Sequence, residues 1–289
     1  MNSFSCKKEG ESKMDKKEQD LQYHPPACAA LELELRADRD VLDFQSELNL
    51  NTLPNKVDIL VVKKEPSAQI HSGLGAIFQR YNLWEYKNPN DKLNVKIYYR
   101  MLGYAGLFTA YKADTEEMSE ITLSFMRERK PVKLMSWLKR NGFTVTEYQK
   151  GIYHVRRSGH YDMQIVVTSE TDVDAYQWVT KLSANVKEED VIKLGNTAKE
   201  LLDFRDYLNA EAVFNLLYQL NKNKEWMKEE GSIMGQMKSI FSGEYREKLL
   251  QQAEQIEQKD AQIEQKDATI INLQARIAEL EAQLNAKQG

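Results

Sequence analysis

The sequence predicts a mixed α/β domain followed by a helical region and a C-terminal coiled coil. Three observations predict it. Between residues 21 and 185, short β-branched and aromatic runs alternate with segments of helical period. From 186 to 243 the apolar spacing is helical throughout, and from 244 to 289 a seven-residue repeat takes over. The 289 residues, 42% hydrophobic and 29% charged, suffice for one large domain or two modest ones at roughly 100–200 residues each.

Each element follows from its residues. Residues 1–20 are polar, charge-mixed and aperiodic, and read as a disordered tail. Pro25 and Pro26 suit a helix start, and Ala, Leu and Glu over 27–40 favour helix. The alternation of Leu31, Leu33 and Leu35 would also fit a strand. Residues 41–50 are strand-like, and Asn51 to Asn55 signal a turn. Residues 57–62, VDILVV, form the clearest strand, with Asp58 inside it. A loop-rich stretch leads to a second strand at 82–87, closed by Asn88-Pro89. Ile97, Met101, Tyr104 and Phe108 then mark a helix over 93–112. Residues 121–126 are an apolar strand. Pro131 opens a helix that Asn141-Gly142 stops. Residues 152–155 and 163–168 are strands, and 173–182 reads as helix. Leu201 to Leu220 carry enough apolar surface for two helices packed on the core or on each other.

In the last segment QIEQKDA occurs twice in succession, followed by TIINLQA and RIAELEA. Ile256, Ile263, Ile270, Ile277 and Leu284 share position a, while Lys259, Lys266, Leu273 and Leu280 share d. Ile at a with Leu at d favours a parallel dimer through 249–287. The two lysines weaken its first half. The competing reading is a single solvated helix.

Composition excludes several classes. Mean hydropathy is -0.63, no apolar run approaches the ~20 residues that span a bilayer, and the N-terminus lacks the apolar region of a signal peptide. No membrane association is expected, and a cytoplasmic setting is. Cys6 and Cys28 can form neither a disulfide framework nor a zinc cluster. The histidines His24, His71, His154 and His160 do not share metal-ligand spacing, and no glycine-rich phosphate loop is present. The net charge of -4 is unlike that of a globally basic nucleic-acid binder. It hides a basic stretch: Arg127, Arg129, Lys130, Lys133, Lys139, Arg140, Lys150, Arg156 and Arg157 against two glutamates. Those residues either line a backbone groove for DNA or point in several directions from solvated faces.

The candidate site is Asp58 with Glu85 and Lys87. Glu-x-Lys occurs five times in the chain, and context separates the copies. Only Glu85–Lys87 lies in a strand-like segment, with Leu83, Trp84 and Tyr86 around it. Residues i and i+2 of a strand face one way, so Glu85 and Lys87 project together while Trp84 and Tyr86 point oppositely. If the strands pair, Asp58 and Glu85 converge into a hard-oxygen site for Mg²⁺ or Mn²⁺. A neighbouring Lys can then position water or neutralise charge at a phosphodiester. The competing reading is an Asp58–Lys87 ion pair or an exposed Asp at a strand end.

Residues 57–64 (VDILVVKK), 75–89 (GAIFQRYNLWEYKNP) and 98–105 (YYRMLGYA) resemble an uncharacterised bacterial family associated with the PD-(D/E)XK nuclease-like superfamily, which also contains transposase-associated nucleases. The resemblance covers roughly residues 21–230. It implies a restriction-endonuclease-like fold of a helix, three antiparallel strands, a helix and a further strand. It also implies that Asp58 is the first acid of the motif, Glu85 the second and Lys87 its lysine, with Glu34 as the acid of the first helix, where Glu32 competes. Pro54 stands four residues before Asp58 rather than immediately before it. The expected activity is Mg²⁺- or Mn²⁺-dependent hydrolysis of DNA by a homodimer. The alternatives are an inactive nuclease fold that binds nucleic acid or a partner, and an adaptor acting through its coil.

Overall fold

A computed structural model of the chain describes residues 24–49 and 56–227, with scattered helical positions between Glu247 and Gln274. The expected N-terminal tail lies outside the described residues, as does most of the expected coiled coil. Among the described residues, no helix is long and apolar enough to cross a membrane.

The described residues open with α1 (His24–Glu34) and a 3-10 turn at Arg36–Val41. Three antiparallel strands follow: β1 (Leu42–Asn49), β2 (Lys56–Lys63) and β3 (Tyr81–Lys87). Then come α2 (Val95–Tyr111), β4 (Ile121–Arg127), α3 (Val132–Arg140), β5 (Thr144–Gln149), β6 (Ile152–Arg156) and β7 (Asp162–Val167). Helices α4 (Glu188–Lys199) and α5 (Phe204–Asn221) complete the described chain. The seven strands form one mixed sheet in the order β1-β2-β3-β4-β7-β6-β5. β3, β4 and β7 run parallel, and their carboxyl ends share one edge.

Side-chain alternation sorts the sheet into two cores. On one face Ile59, Val61, Trp84, Tyr86 and Val166 pack against α1, α4 and α5. On the other, Leu60, Leu83, Leu123, Phe125 and Ile165 pack against α2 and α3. Both faces of β3 and β4 are covered, which is why these strands are nearly continuous buried runs. Helix α5 packs directly along α1, with Val213, Phe214 and Leu217 in the same core as Trp84. Helices α4 and α5 therefore complete the core of the α/β unit.

Three elements differ from expectation. Residues 173–182 form turns and a single 3-10 turn at Val179–Lys181 instead of a helix. Side chains take the backbone donors that a helix would use. Asp172 Oδ1 accepts from the N–H groups of Asp174 and Ala175, and Glu34 Oε1 accepts from those of Trp178 and Val179. Strand β5 has no counterpart in the sequence reading. It is an edge strand paired only with β6, mostly exposed, and buries too little to leave a strong pattern. Helix α1 also extends back to His24 and takes both prolines into its first turn, where missing N–H groups cost nothing.

Phe214 sits edge-on to Trp178 at 6.3 Å between ring centroids, joining α5 to the loop that Glu34 caps. Phe214→Ala should lower the free energy of unfolding by about 3–5 kcal/mol and shift a single cooperative urea transition. Two separate transitions, with only one shifted, would show instead that α5 belongs to an independent helical unit.

Candidate active site

Strand β3 sets the geometry. Its even-numbered residues Trp84 and Tyr86 are buried in the α1 core, and Tyr81 and Leu83 in the α2 core. Glu85 and Lys87 continue the latter series. Glu85 is only 1% exposed, Lys87 12% and Asp58 13% at their side chains.

Asp58 lies where pairing in the sheet is interrupted on both sides. The β1–β2 register passes from Ser46↔Ile59 to Leu48↔Val57 without a Glu47–Asp58 pair, and Glu47 takes φ of 52°. The β2–β3 register ends at Ile59↔Trp84. Extending it by one step places Asp58 opposite Glu85. The Asp58 carboxylate fills the gap, with Oδ2 accepting the Tyr86 N–H at 2.9 Å. The two carboxylates are close enough that Asp58 adds to the upward pressure on the Glu85 pKa, which burial raises first and Lys87 opposes.

Lys87, Arg100 and His24 offset this negative charge. Lys87 Nζ lies 2.5 Å from Glu85 Oε1, and Arg100 of α2 donates to the same oxygen. The Arg100 guanidinium also lies over the Tyr104 ring, one helical turn on, at 5.8 Å. His24 Nδ1 lies 3.3 Å from Asp58 Oδ2, and that carboxylate raises the imidazole pKa against the effect of burial. The other oxygen of Glu85, Oε2, is buried with no hydrogen-bond partner.

The structure thus brings Asp58, Glu85 and Lys87 together and places Glu34 elsewhere. Glu34 is the last residue of α1, ten positions from His24 and so about 15 Å along the helix. Its carboxylate caps the Val179–Lys181 turn, with Oε1 2.5 Å from the Trp178 nitrogen and 3.1 Å from that of Val179. Its rival Glu32 is bound to Arg205 and Asn209 of α5. The helix reaches the site through His24 instead. The sequence reading missed both His24 and Arg100. Arg100 carried one usable signal, as the single arginine of an otherwise largely apolar helix, spaced i,i+4 from Tyr104.

The basic stretch does not form one groove. Arg127 lies at the carboxyl end of β4, whereas Arg156 and Arg157 lie at the opposite end of the sheet, because β6 runs antiparallel to β7. Arg156 pairs with Asp162, and Arg157 covers the Phe143 ring. Lys130 is held by Tyr153 and Glu170.

Among the described residues, no group of three or more His, Cys, Asp and Glu side chains forms a metal cage. Mg²⁺ does not require one, since one or two carboxylates plus substrate phosphate commonly suffice. Asp58 and the orphaned Glu85 Oε2 fit that demand in donor type and proximity. No protein-family model matches the chain, and neither a curated protein nor a solved structure matches it.

Burial lifts the Glu34 carboxyl to about 7 against the two N–H donors that lower it. A folded-state pKa above the usual carboxylate value stabilises the fold below pH ~4.5, and this contribution is lost as pH rises through 7. Glu34→Gln keeps the accepting oxygen and removes the titration. Its melting temperature should match or exceed that of wild type at pH 8, and its profile between pH 4.5 and 8 should be flatter. An unchanged profile would remove Glu34 as the source.

Proposed function

We propose that this protein is a metal-dependent nuclease that hydrolyses DNA phosphodiester bonds, held as a dimer by its C-terminal heptads. One observation carries the reading. Asp58 and the Glu85–Lys87 pair meet on adjacent antiparallel strands, at the sheet edge where the parallel strands β3, β4 and β7 end. The order α1, three antiparallel strands, α2 and a strand parallel to β3 supports the same reading.

Asp58 and Glu85 would hold Mg²⁺ or Mn²⁺, which when bound polarises a phosphodiester oxygen and acidifies a water. The chain's own groups have separate tasks. The Tyr86 N–H and His24 fix the Asp58 carboxylate in place. Lys87 is held at the reacting edge by Glu85, where its ammonium can orient water and offset charge developing on the phosphate. Arg100 balances Glu85 from the α2 side. Burial of this cluster strengthens each of these interactions relative to water.

A second reading has its own support. Glu85 is already neutralised by Lys87 and Arg100, a self-contained ion cluster that a binding or adaptor protein acting through its coil could keep for structure alone.

Supercoiled plasmid and linear DNA at low salt, with Mg²⁺ or Mn²⁺, separate the two. Wild type should cleave, Lys87→Ala should lose about 10²-fold or more in rate, and Glu34→Gln should cleave as wild type does. A folded, dimeric protein that cleaves with neither metal would favour the binding or adaptor reading.

A further inference from the structure

Arg127 is the last residue of β4 and stands in register with Lys87 of β3. Ile121, Leu123 and Phe125 are buried in the α2 core, so alternation turns Arg127 to that same face. Tyr81 and Leu83 do the same for Lys87. The two residues are therefore paired in register, on one face, on strands about 4.8 Å apart.

Arg127 differs from the other cations of this edge. Lys87 and Arg100 share Glu85, and Lys130 is held by Tyr153 and Glu170. The Arg127 Nε is buried without a hydrogen-bond partner, and among the described residues no carboxylate hydrogen-bonds its guanidinium. The carboxylates of Asp91 and Glu128 act on it only at longer range, while burial and then Arg129 disfavour its charge. A half-buried guanidinium whose nearest carboxylates lie beyond ion-pair distance is costly. Its strand end is nevertheless held firmly, because the carbonyl groups of Arg127 and Glu128 accept the N–H groups of Thr168 and Ser169 at 2.9 and 3.1 Å. The missing partner is thus an anion from outside, at the carboxyl ends of parallel strands where open α/β sheets bind ligands. A planar guanidinium fork beside an ammonium matches two oxygens of a phosphate.

We propose that Lys87 and Arg127 form a phosphate seat, with Arg127 the substrate-binding residue that holds a backbone phosphate beside Asp58 and Glu85. The identity of the anion rests on the nuclease reading; the existence of the seat does not. The test uses the full chain in metal-free buffer at constant ionic strength. The Arg127 Nε–H resonance, identified by its loss in Arg127→Lys, is followed by ¹⁵N NMR. One titration uses inorganic phosphate and another a thymidine dinucleotide phosphodiester.

The expected result is a saturable shift with both probes, weakened about tenfold in Lys87→Gln. Arg127→Gln should melt as wild type does and raise KM for cleavage about tenfold, with a smaller change in kcat. No shift with either probe overturns the seat, whatever the plasmid assay shows. A shift with inorganic phosphate alone overturns the backbone-phosphate assignment. A shift with both probes in a protein that cleaves no DNA leaves the seat standing and removes the nuclease reading.

Discussion

A carboxylate buried in the central strand is the constraint around which this molecule is arranged. Glu85 is covered on β3 because both faces of that strand are packed by helices. An ionised carboxylate there must be paired or must lose its charge. The chain meets this demand with Lys87 two residues on and Arg100 from the helix above. Asp58 works in the opposite direction, bringing a second negative group to the same place. The site is thus a balance of two acids against three basic groups, counting His24.

This balance sits at an edge prepared by topology. The antiparallel hairpin of β2 and β3 loses its ladder at Asp58, and its carboxylate takes over a backbone donor. β4 then joins β3 in parallel, so both strands deliver their last side chains, Lys87 and Arg127, to one rim. The antiparallel return of β6 beside β7 sends Arg156 and Arg157 to the far rim. A charge run that is continuous in sequence is therefore divided in space. The strand direction, not the local net charge, decides which cations can serve the site.

Buried polar groups away from this rim stabilise the architecture. Asn82 bonds Val61 and Gln79 and accepts from Thr122, linking β2, β3 and β4 within the core. Gln164 bonds Ser124 and the carbonyl of Leu74, tying β7 to β4 and to the loop before β3. Glu34 belongs with these groups. It caps the turn at Val179 and links α1 to the segment that leads into α4. Such networks fix strand register because a one-step slip would leave each partner unsatisfied in the core.

The sequence by itself determined the strands that bury a face and the helices that bury a stripe, because periods of 2 and 3.6 are local properties. It also determined that Glu85 and Lys87 share a face, since two residues of one strand cannot do otherwise. β5 left little pattern because an exposed edge strand buries little. The 173–182 segment carried helical composition, but Glu34 captured its backbone donors from a distant helix. Only the tertiary structure decided that Asp58 stands opposite Glu85, that His24 rather than Glu34 reaches the site from α1, and that Arg100 reaches it from α2. Those facts depend on strand register, strand direction and helix placement. Residues 15 to 34 positions apart in the chain are joined there, and no local periodicity encodes such pairings.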